Sequence, residues 1–275
     1  MMEYKKLDFK TDEELNLLVE LQKAVYKERA SSFNKSLFCF WYVDNPCGGV
    51  ISYNAIDNGK IVAHQSFVPE LMEVDGRVVR CARSMAVVTH PDYQGKGLFS
   101  TLTNMAVEEA RRQGYEFLYA ITNGNSFPRF VKHCGFSSIT RLNVKIGMGI
   151  GIEEDGNKTY KRHWTPEMLK WRLSKEYYFR RGNHILGNYG HGVKTLMGTL
   201  NNTLLDKTTL KKKKVAWGPK LYVGLGAKLP WSLMNVPKFV KHSPFHLIFQ
   251  DLTGGKLPVM TEDNIFYQLI DYDVA

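Results

Sequence analysis

A glycine-rich stretch at residues 90–99, HPDYQGKGLF, combines residue types that can bind an anion. It follows the apolar segment CARSMAVV and precedes a segment in which Leu98, Leu102 and Ala106 recur at helical spacing. Amide groups in the first turn of a helix have no intrahelical acceptor, and the helix dipole is positive there. Glycine lets the backbone approach a phosphate closely because it carries no Cβ. The sequence therefore predicts an anion-binding loop formed by Gln94, Gly95, Lys96, Gly97 and Leu98.

This loop differs from two widespread phosphate-binding motifs. It does not fit G-x-x-x-x-G-K-[ST], the loop that binds nucleoside triphosphates. It also lacks the third glycine of the dinucleotide-binding fingerprint. Taken alone, the G-K-G sequence favours a plain flexible turn before a helix, so the anion-binding interpretation depends on its neighbours.

The segments around the loop predict an α/β or α+β unit. Thr11 and Glu14 have the spacing of a capping box before a helix, and Asp57-Asn58-Gly59 predicts the turn of a β-hairpin. The predicted order is helix, helix, three strands, helix, strand, helix, strand, which is a normal content for one domain. The glycine-rich GMGIGIEEDGN then predicts a linker. We therefore predict two domains, at residues 1–147 and 148–275.

The second domain shows weaker patterns. A helix is predicted from Thr165-Pro166, and a further helix across VKTLMGTLNNTLL at 193–205. Strands are predicted for KLYVGLGAKL, PFHLIFQDL and NIFYQLIDYDV. The aromatic side chains of this half either form its core or stack on a substrate.

The composition narrows the classes of partner. Hydrophobic residues make up 44% of 275 residues, which allows a sizeable core, and no apolar run is long enough to span a bilayer. The formal net charge of +10 suits polyanionic partners, although the lysine run from Lys211 to Lys214 is more typical of a solvated surface. Four scattered cysteines and the lack of a secretory signal predict reduced thiols in a cytoplasmic protein without a metal site.

Two segments resemble the GNAT acyltransferase superfamily. MAVVTHPDYQGKGLFSTL is similar to its motif A, and NGNSFPRFVKHCGF is similar to its second landmark, an Asn followed by a short helix that ends in Gly-Phe. The resemblance covers roughly residues 1 to 147. It implies a central mixed, mostly antiparallel sheet flanked by helices, and acyl-coenzyme A as co-substrate. The residues that it implies for coenzyme A binding are Met85, Ala86, Val87, Val88, Gln94, Gly95, Lys96, Gly97, Leu98, Phe99, Asn123 and Ser126.

The catalytic groups are less defined. Members of the family often carry a tyrosine, which protonates the leaving thiolate, four residues before the glycine of Gly-Phe; this chain has Val131 there. A coenzyme A thiol has a pKa near that of cysteine and can leave with little help. Attack requires a neutral amine, and the candidates for taking its proton are His64, which is equally compatible with a structural histidine, and Ser84.

The second half supplies the candidates for acceptor binding. Trp164, Trp171 and Tyr177 have rings that stack on a base or sugar, and Arg172 has a guanidinium that binds phosphate. FWYVDNPCGG, WRL and QLIDYDVA resemble two-domain bacterial sugar N-acyltransferases. These act on nucleotide-linked 3-amino-3,6-dideoxyhexoses in surface polysaccharide (lipopolysaccharide) biosynthesis. The resemblance implies a smaller second α/β domain and a nucleotide-sugar partner.

Two other functions remain open from the sequence. One is acyl transfer to a different amine, such as an aminoglycoside or a protein lysine, or transfer in which aminoacyl-tRNA replaces acyl-coenzyme A as the donor. The other is an acyl-coenzyme A-binding module that has lost catalysis, which Val131 favours and the intact loop disfavours. No nucleic-acid partner is expected, and the oligomeric state is open between monomer and dimer.

Overall fold

The structure is a computed structural model, and it describes residues 2–190, 193–211, 218–237 and 243–272. Most of the predicted lysine run, Lys212 to Lys214, and the last three residues of QLIDYDVA lie outside the described residues. Within the described ranges, no helix is both long and apolar enough to cross a membrane.

Helices occupy a minor part of the chain, and their ends carry the expected capping residues. The Thr11 side chain accepts a hydrogen bond from the Glu14 amide, and Thr165 accepts one from Met168, as predicted for both helix starts. Short 3₁₀ turns lie at Lys27–Ser32, Pro91–Tyr93 and Glu262–Asn264, and a π-helical turn at Cys39–Val43. The helices are α1 (Asp12–Val25), α2 (Lys35–Phe38), α3 (Leu98–Arg112), α4 (Phe127–His133), α5 (Pro166–Arg172), α6 (Asn202–Leu205) and α7 (Leu269–Tyr272).

Strands form most of the molecule. The strands are β1 (Glu3–Lys6), β2 (Ile51–Asp57), β3 (Lys60–Val74), β4 (Arg77–Thr89), β5 (Phe117–Thr122), β6 (Ser137–Arg141), β7 (Asn143–Gly147), β8 (Glu153–Glu154), β9 (Tyr160–Arg162), β10 (Phe179–Arg181), β11 (His184–Gly190), β12 (Val193–Thr199), β13 (Lys220–Leu225), β14 (Ala227–Lys228), β15 (Leu233–Asn235), β16 (His246–Asp251) and β17 (Ile265–Gln268). All of these except β8 and β14 join one mixed sheet within the described ranges. The predicted fold class, a mixed sheet flanked by helices, is confirmed.

The sheet continues across the predicted domain boundary. Its central order is β2-β3-β4-β5-β16-β6, so β16, from the second half, lies between two strands of the first half. At the other end, β9 pairs with the end of β3 and connects it to β17. The division into 1–147 and 148–275 stays a prediction, but the two parts share one set of backbone hydrogen bonds.

The helix predicted across residues 193–205 is wrong. Residues 193–199 form β12, which pairs with β11 on one side and β13 on the other, and only 202–205 are helical. Leu196 and Met197 are both buried, on opposite faces of a strand covered on both sides. Such a run has no alternation of polar and apolar residues, so its periodicity cannot distinguish a strand from a helix.

A buried charge cluster connects the two halves. The carboxylate of Glu70, on β3, accepts a 3.0 Å hydrogen bond from Nε of Arg83 on β4 and forms an ion pair with Arg162 on β9. The hydroxyl of Tyr119, on β5, also donates to Glu70. All four side chains are at most 6% exposed. Glu70 therefore neutralises charge that would otherwise be buried unpaired.

We expect Glu70→Gln to lower the free energy of unfolding by about 3–5 kcal/mol, because two guanidinium groups would remain buried without a carboxylate. Glu73→Gln, on the same strand, is the matched control. Glu73 is partly exposed and lies 3.7 Å from Lys161, so its loss should cost about 0–1 kcal/mol. Urea denaturation of both variants measures the difference, and equal losses would show that Glu70 has no special role.

Candidate functional site

A cleft opens where two neighbouring strands separate. Strands β4 and β5 are parallel and pair only as far as Arg83 and Tyr119. Beyond that point β4 continues to Thr89 paired with β3, and β5 continues to Thr122 paired with β16. Each strand keeps one paired edge and turns the other toward the gap. The resulting cleft has a volume of about 900 Å³.

A bulge shapes the β4 side of this cleft. The register with β3 shifts between His64 and Ser66, and Ala86 has the left-handed φ of 55°. This conformation is uncommon for a residue with a side chain, and bulges often lie beside functional sites. The side chain of Gln22, on α1, donates a 2.9 Å hydrogen bond to the Ala86 carbonyl. Helix α1 therefore holds the bulge in place.

The predicted anion-binding loop lies at one end of the cleft. Gly95 and Gly97 have φ values of 76° and 74°, which only glycine adopts readily. Gly97 is the N-cap of α3 and has no side chain to accept from the first amides of that helix. A Cβ at Gly95 or Gly97 would meet no protein atom within 4 Å, so this side of the loop is open. The loop and the start of α3 thus fit a phosphate group.

A second turn borders the same end of the cleft. The Asn123 side chain accepts hydrogen bonds from the amides of Asn125 and Ser126, both at 3.0 Å, and from the Ser126 hydroxyl. Asn123 therefore organises the turn before α4 with its own side-chain oxygen. Arg129 and His133, on α4, line the cleft here and extend the basic surface beside the loop.

The structure gathers most of the residues predicted for coenzyme A binding. Eleven of the twelve line the cleft. The exception is Lys96, whose ammonium lies 4.6 Å from the centre of the Tyr93 ring, outside the lining. Their role in binding stays a prediction, but they surround one continuous space.

The two candidate bases lie in different places. Ser84 lines the cleft and accepts a 3.2 Å hydrogen bond from Gln65. His64 is 1% exposed and is not among the lining residues; its ring nitrogens lie 2.7 Å from the Asn54 Oδ1 and 3.0 Å from the Tyr42 hydroxyl. Burial lowers the pKa of His64 to about 3. Its role as a base stays a prediction that this environment does not favour.

The four residues predicted for acceptor binding do not line this cleft. Trp171 stacks on Phe40 with ring centres 4.6 Å apart, and its indole N–H donates to the Phe40 carbonyl. Arg172 is buried and donates to the Ile270 carbonyl and to the Tyr178 hydroxyl. Trp164 belongs to the main hydrophobic core, and Tyr177 contacts Tyr178. Their role toward an acceptor stays a prediction, while the observed contacts are structural.

Sequence reasoning missed several other residues that line the cleft. Two arginines and several aromatic side chains line it: Tyr26, Arg29, Phe33, Phe38, Arg83, Phe245 and Tyr272. One signal was available, since Arg83 interrupts the apolar strand CARSMAVV. The aromatic residues come from three distant parts of the chain, at 26–38, 245 and 272, so only the fold brings them together.

Comparison with known proteins supports this reading of the fold. A search of curated proteins finds no match. Among solved structures, a probable N-acyltransferase of unknown function from Enterococcus faecalis V583 superposes with a TM-score of 0.59 at 11% identity, covering 92% of this chain and 73% of that one. A GCN5-related N-acetyltransferase from Anabaena variabilis superposes with a TM-score of 0.59 at 11% identity, covering 92% of this chain and 74% of that one. A GCN5-related N-acetyltransferase from Kribbella flavida superposes with a TM-score of 0.57 at 12% identity, covering 92% of this chain and 73% of that one. At these identities the likeness shows the fold.

The family comparison covers most of the residues that line the cleft. Residues 7–138 match the acetyltransferase (GNAT) domain family. The matched region contains the bulged strand, the glycine loop, α3 and the Asn123 turn. The sequence-based prediction of an acyl-coenzyme A-dependent N-acyltransferase is thereby confirmed, and just under half of the chain, residues 7–138, is similar to GNAT acetyltransferase domains.

Proposed function

We propose that the enzyme transfers an acyl group from acyl-coenzyme A to the amine of a nucleotide-linked amino sugar of the 3-amino-3,6-dideoxyhexose type. The choice of acyl-coenzyme A as donor rests on the cleft between β4 and β5, which residues of the Gln94–Phe99 loop line. The observation that favours an anionic acceptor is the charge of the cleft. Its described lining includes three arginines and no carboxylate.

The residues present fit coenzyme A. The amides of the loop and of the first turn of α3 would hold the pyrophosphate, with Arg129 nearby for further phosphate charge. The free edges of β4 and β5 offer backbone groups to the amide-containing pantetheine arm. When bound, acyl-coenzyme A supplies an activated thioester.

The acceptor amine has to lose a proton before or during attack. Among the described lining residues no carboxylate is available, and the Ser84 hydroxyl is too weak a base alone. We therefore assign proton removal to water in the open cleft, and Ser84 to orienting the amine. Val131, half-buried against the core that includes Phe130, provides no acid, so the thiolate leaves unaided.

The charge of the cleft weighs against one alternative acceptor. An aminoglycoside carries several ammonium groups, which need carboxylates or other acceptors in the site. The described lining has no carboxylate, and Arg129 would repel such a substrate. A nucleotide-linked sugar instead brings a diphosphate of complementary charge.

Turnover on a panel of amines tests the proposal directly. We expect thiol release from acetyl- or 3-hydroxybutyryl-coenzyme A with a dTDP- or UDP-linked amino sugar, followed spectrophotometrically. Aminoglycosides and a lysine peptide serve as comparison acceptors. Faster turnover on either of those than on every nucleotide sugar would overturn the acceptor assignment and leave the donor assignment intact.

Replacing Gly97 by alanine should weaken coenzyme A binding about tenfold or more, because the new Cβ would occupy the space from which a phosphate approaches the amides. Gly59→Ala is the matched control. Gly59 has the same φ of 74° in a hairpin turn, so both variants incur the same backbone strain of about 1–2 kcal/mol. Calorimetric titration with coenzyme A compares them, and equal affinities would remove Gly97 from the site.

The stability of the protein should depend on His64 below pH 6.5. Because the pKa of His64 is lowered to about 3 in the folded state, the unfolded chain binds one more proton between those values. Folding stability attributable to this group is complete above pH 6.5 and falls by roughly 1.4 kcal/mol per pH unit as the pH drops.

Denaturation of the wild type and of His64→Gln across pH 4–7 measures this effect. We expect the difference in unfolding free energy between the two proteins to shrink toward low pH. We expect kcat to show the same pH dependence in both proteins. A wild-type acidic limb of kcat near pH 6.5 that His64→Gln abolishes would instead establish His64 as the base.

A further inference from the structure

Arg83 occupies the inner end of the cleft with part of its guanidinium unpaired. It is the last residue of β4 that pairs with β5, its side chain is 2% exposed, and it lines the cleft. Its Nε donates to Glu70, but its Nη2 is buried and has no hydrogen-bond partner in the described protein. Buried polar groups of folded proteins are nearly always paired, and a charged donor most of all.

The charge around Arg83 is also incompletely balanced. Glu70 is shared between Arg83 and Arg162, so one carboxylate faces two guanidinium groups. The next buried carboxyl in this region is Asp271, and burial raises its pKa to about 7, which leaves it partly protonated at neutral pH. A further anion at this place would complete the balance.

The surroundings hold the guanidinium in a fixed orientation. Its carbon lies 5.3 Å from the centre of the Trp41 ring and 5.7 Å from that of Tyr272. Such aromatic neighbours favour a planar cation and restrict its motion. Tyr272 also lines the cleft, so the arginine and this ring form part of one surface. A fixed guanidinium is well suited to a phosphate or carboxylate oxygen.

We propose that Arg83 binds an anionic group of the acceptor, a phosphate or a carboxylate, and thereby restricts the enzyme to anionic amines. This inference rests on the proposed function for the reaction and deepens it by naming the residue that selects the acceptor. The Arg83 contact is separate from the Gln94–Phe99 loop, which serves the donor at the other end of the cleft. Arg83 is thus a specificity residue.

Three acceptors distinguish the possible sources of the anion. They are dTDP-linked 3-amino-3,6-dideoxyglucose, the methyl glycoside of the same amino sugar, which has no anionic group, and L-alanine, whose anionic group is a carboxylate. In the wild type we expect kcat/KM for one of the two anionic amines to exceed that for the glycoside by about tenfold to hundredfold, the contribution of a hydrogen bond to a charged group. A ratio near one for both would overturn the proposal.

Variants of Arg83 test whether this residue is responsible. Arg83→Lys keeps the positive charge beside Glu70 but removes the guanidinium with its several N–H donors. It should bring the ratio of kcat/KM for the anionic amine to kcat/KM for the methyl glycoside toward one, without changing the Kd for acyl-coenzyme A. Arg80→Lys is the matched control, since Arg80 is exposed on the same strand and donates to the Gln113 carbonyl outside the cleft. An unchanged ratio in a folded Arg83→Lys protein contradicts the assignment.

Binding measurements keep the test independent of turnover and of the fold of the variant. Calorimetry with dTDP and with L-alanine, in the presence of coenzyme A, should show binding of at least one to the wild type and to Arg80→Lys. The same ligand should inhibit competitively against the acceptor. Binding of neither ligand overturns the Arg83 proposal. Arg83-dependent use of L-alanine without any use of the amino sugar overturns only the nucleotide-sugar proposal.

Discussion

Two parallel strands that separate leave backbone N–H and C=O groups without a partner strand, and these groups have to be satisfied in some other way. In this protein the separation begins after Arg83 and Tyr119. The opposite edges of both strands remain paired, with β3 and β16 respectively, so each strand has one paired edge and one free edge here. Water or a bound molecule with its own amides can meet this requirement. The cleft is therefore a consequence of the sheet register.

The separation is maintained by polar contacts that reach from one side of β4. Gln22 donates to the Ala86 carbonyl at the bulge, and Ser66 donates to the neighbouring Met85 carbonyl. The Ser66 hydroxyl contacts Tyr42, which contacts His64. This chain of buried groups explains why a histidine is retained in an apolar layer. It supports the backbone that faces the cleft without entering the cleft.

The sequence was sufficient for features that depend on neighbours along the chain. The hairpin turn, the capped start of α1 and the glycine loop before α3 each have a local physical cause, and each is present. It was insufficient for contacts between distant segments. The insertion of β16 between β5 and β6, and the pairing of Glu70 with Arg162, depend on which strands meet. The same limit explains Trp171, whose aromatic ring is equally suited to a substrate and to Phe40.

The two ends of the cleft draw on different parts of the chain. The end at the glycine loop uses consecutive residues of β4, the loop and α3, so local spacing in the sequence was enough to predict it. The inner end combines Arg83 with Phe245 and Tyr272 from the second half, and its charge depends on Arg162 as well. Substitutions in the second half can therefore alter the inner end through packing and charge while leaving the loop amides untouched. Both ends of the cleft use β4, but only the inner end also depends on residues from the second half of the chain.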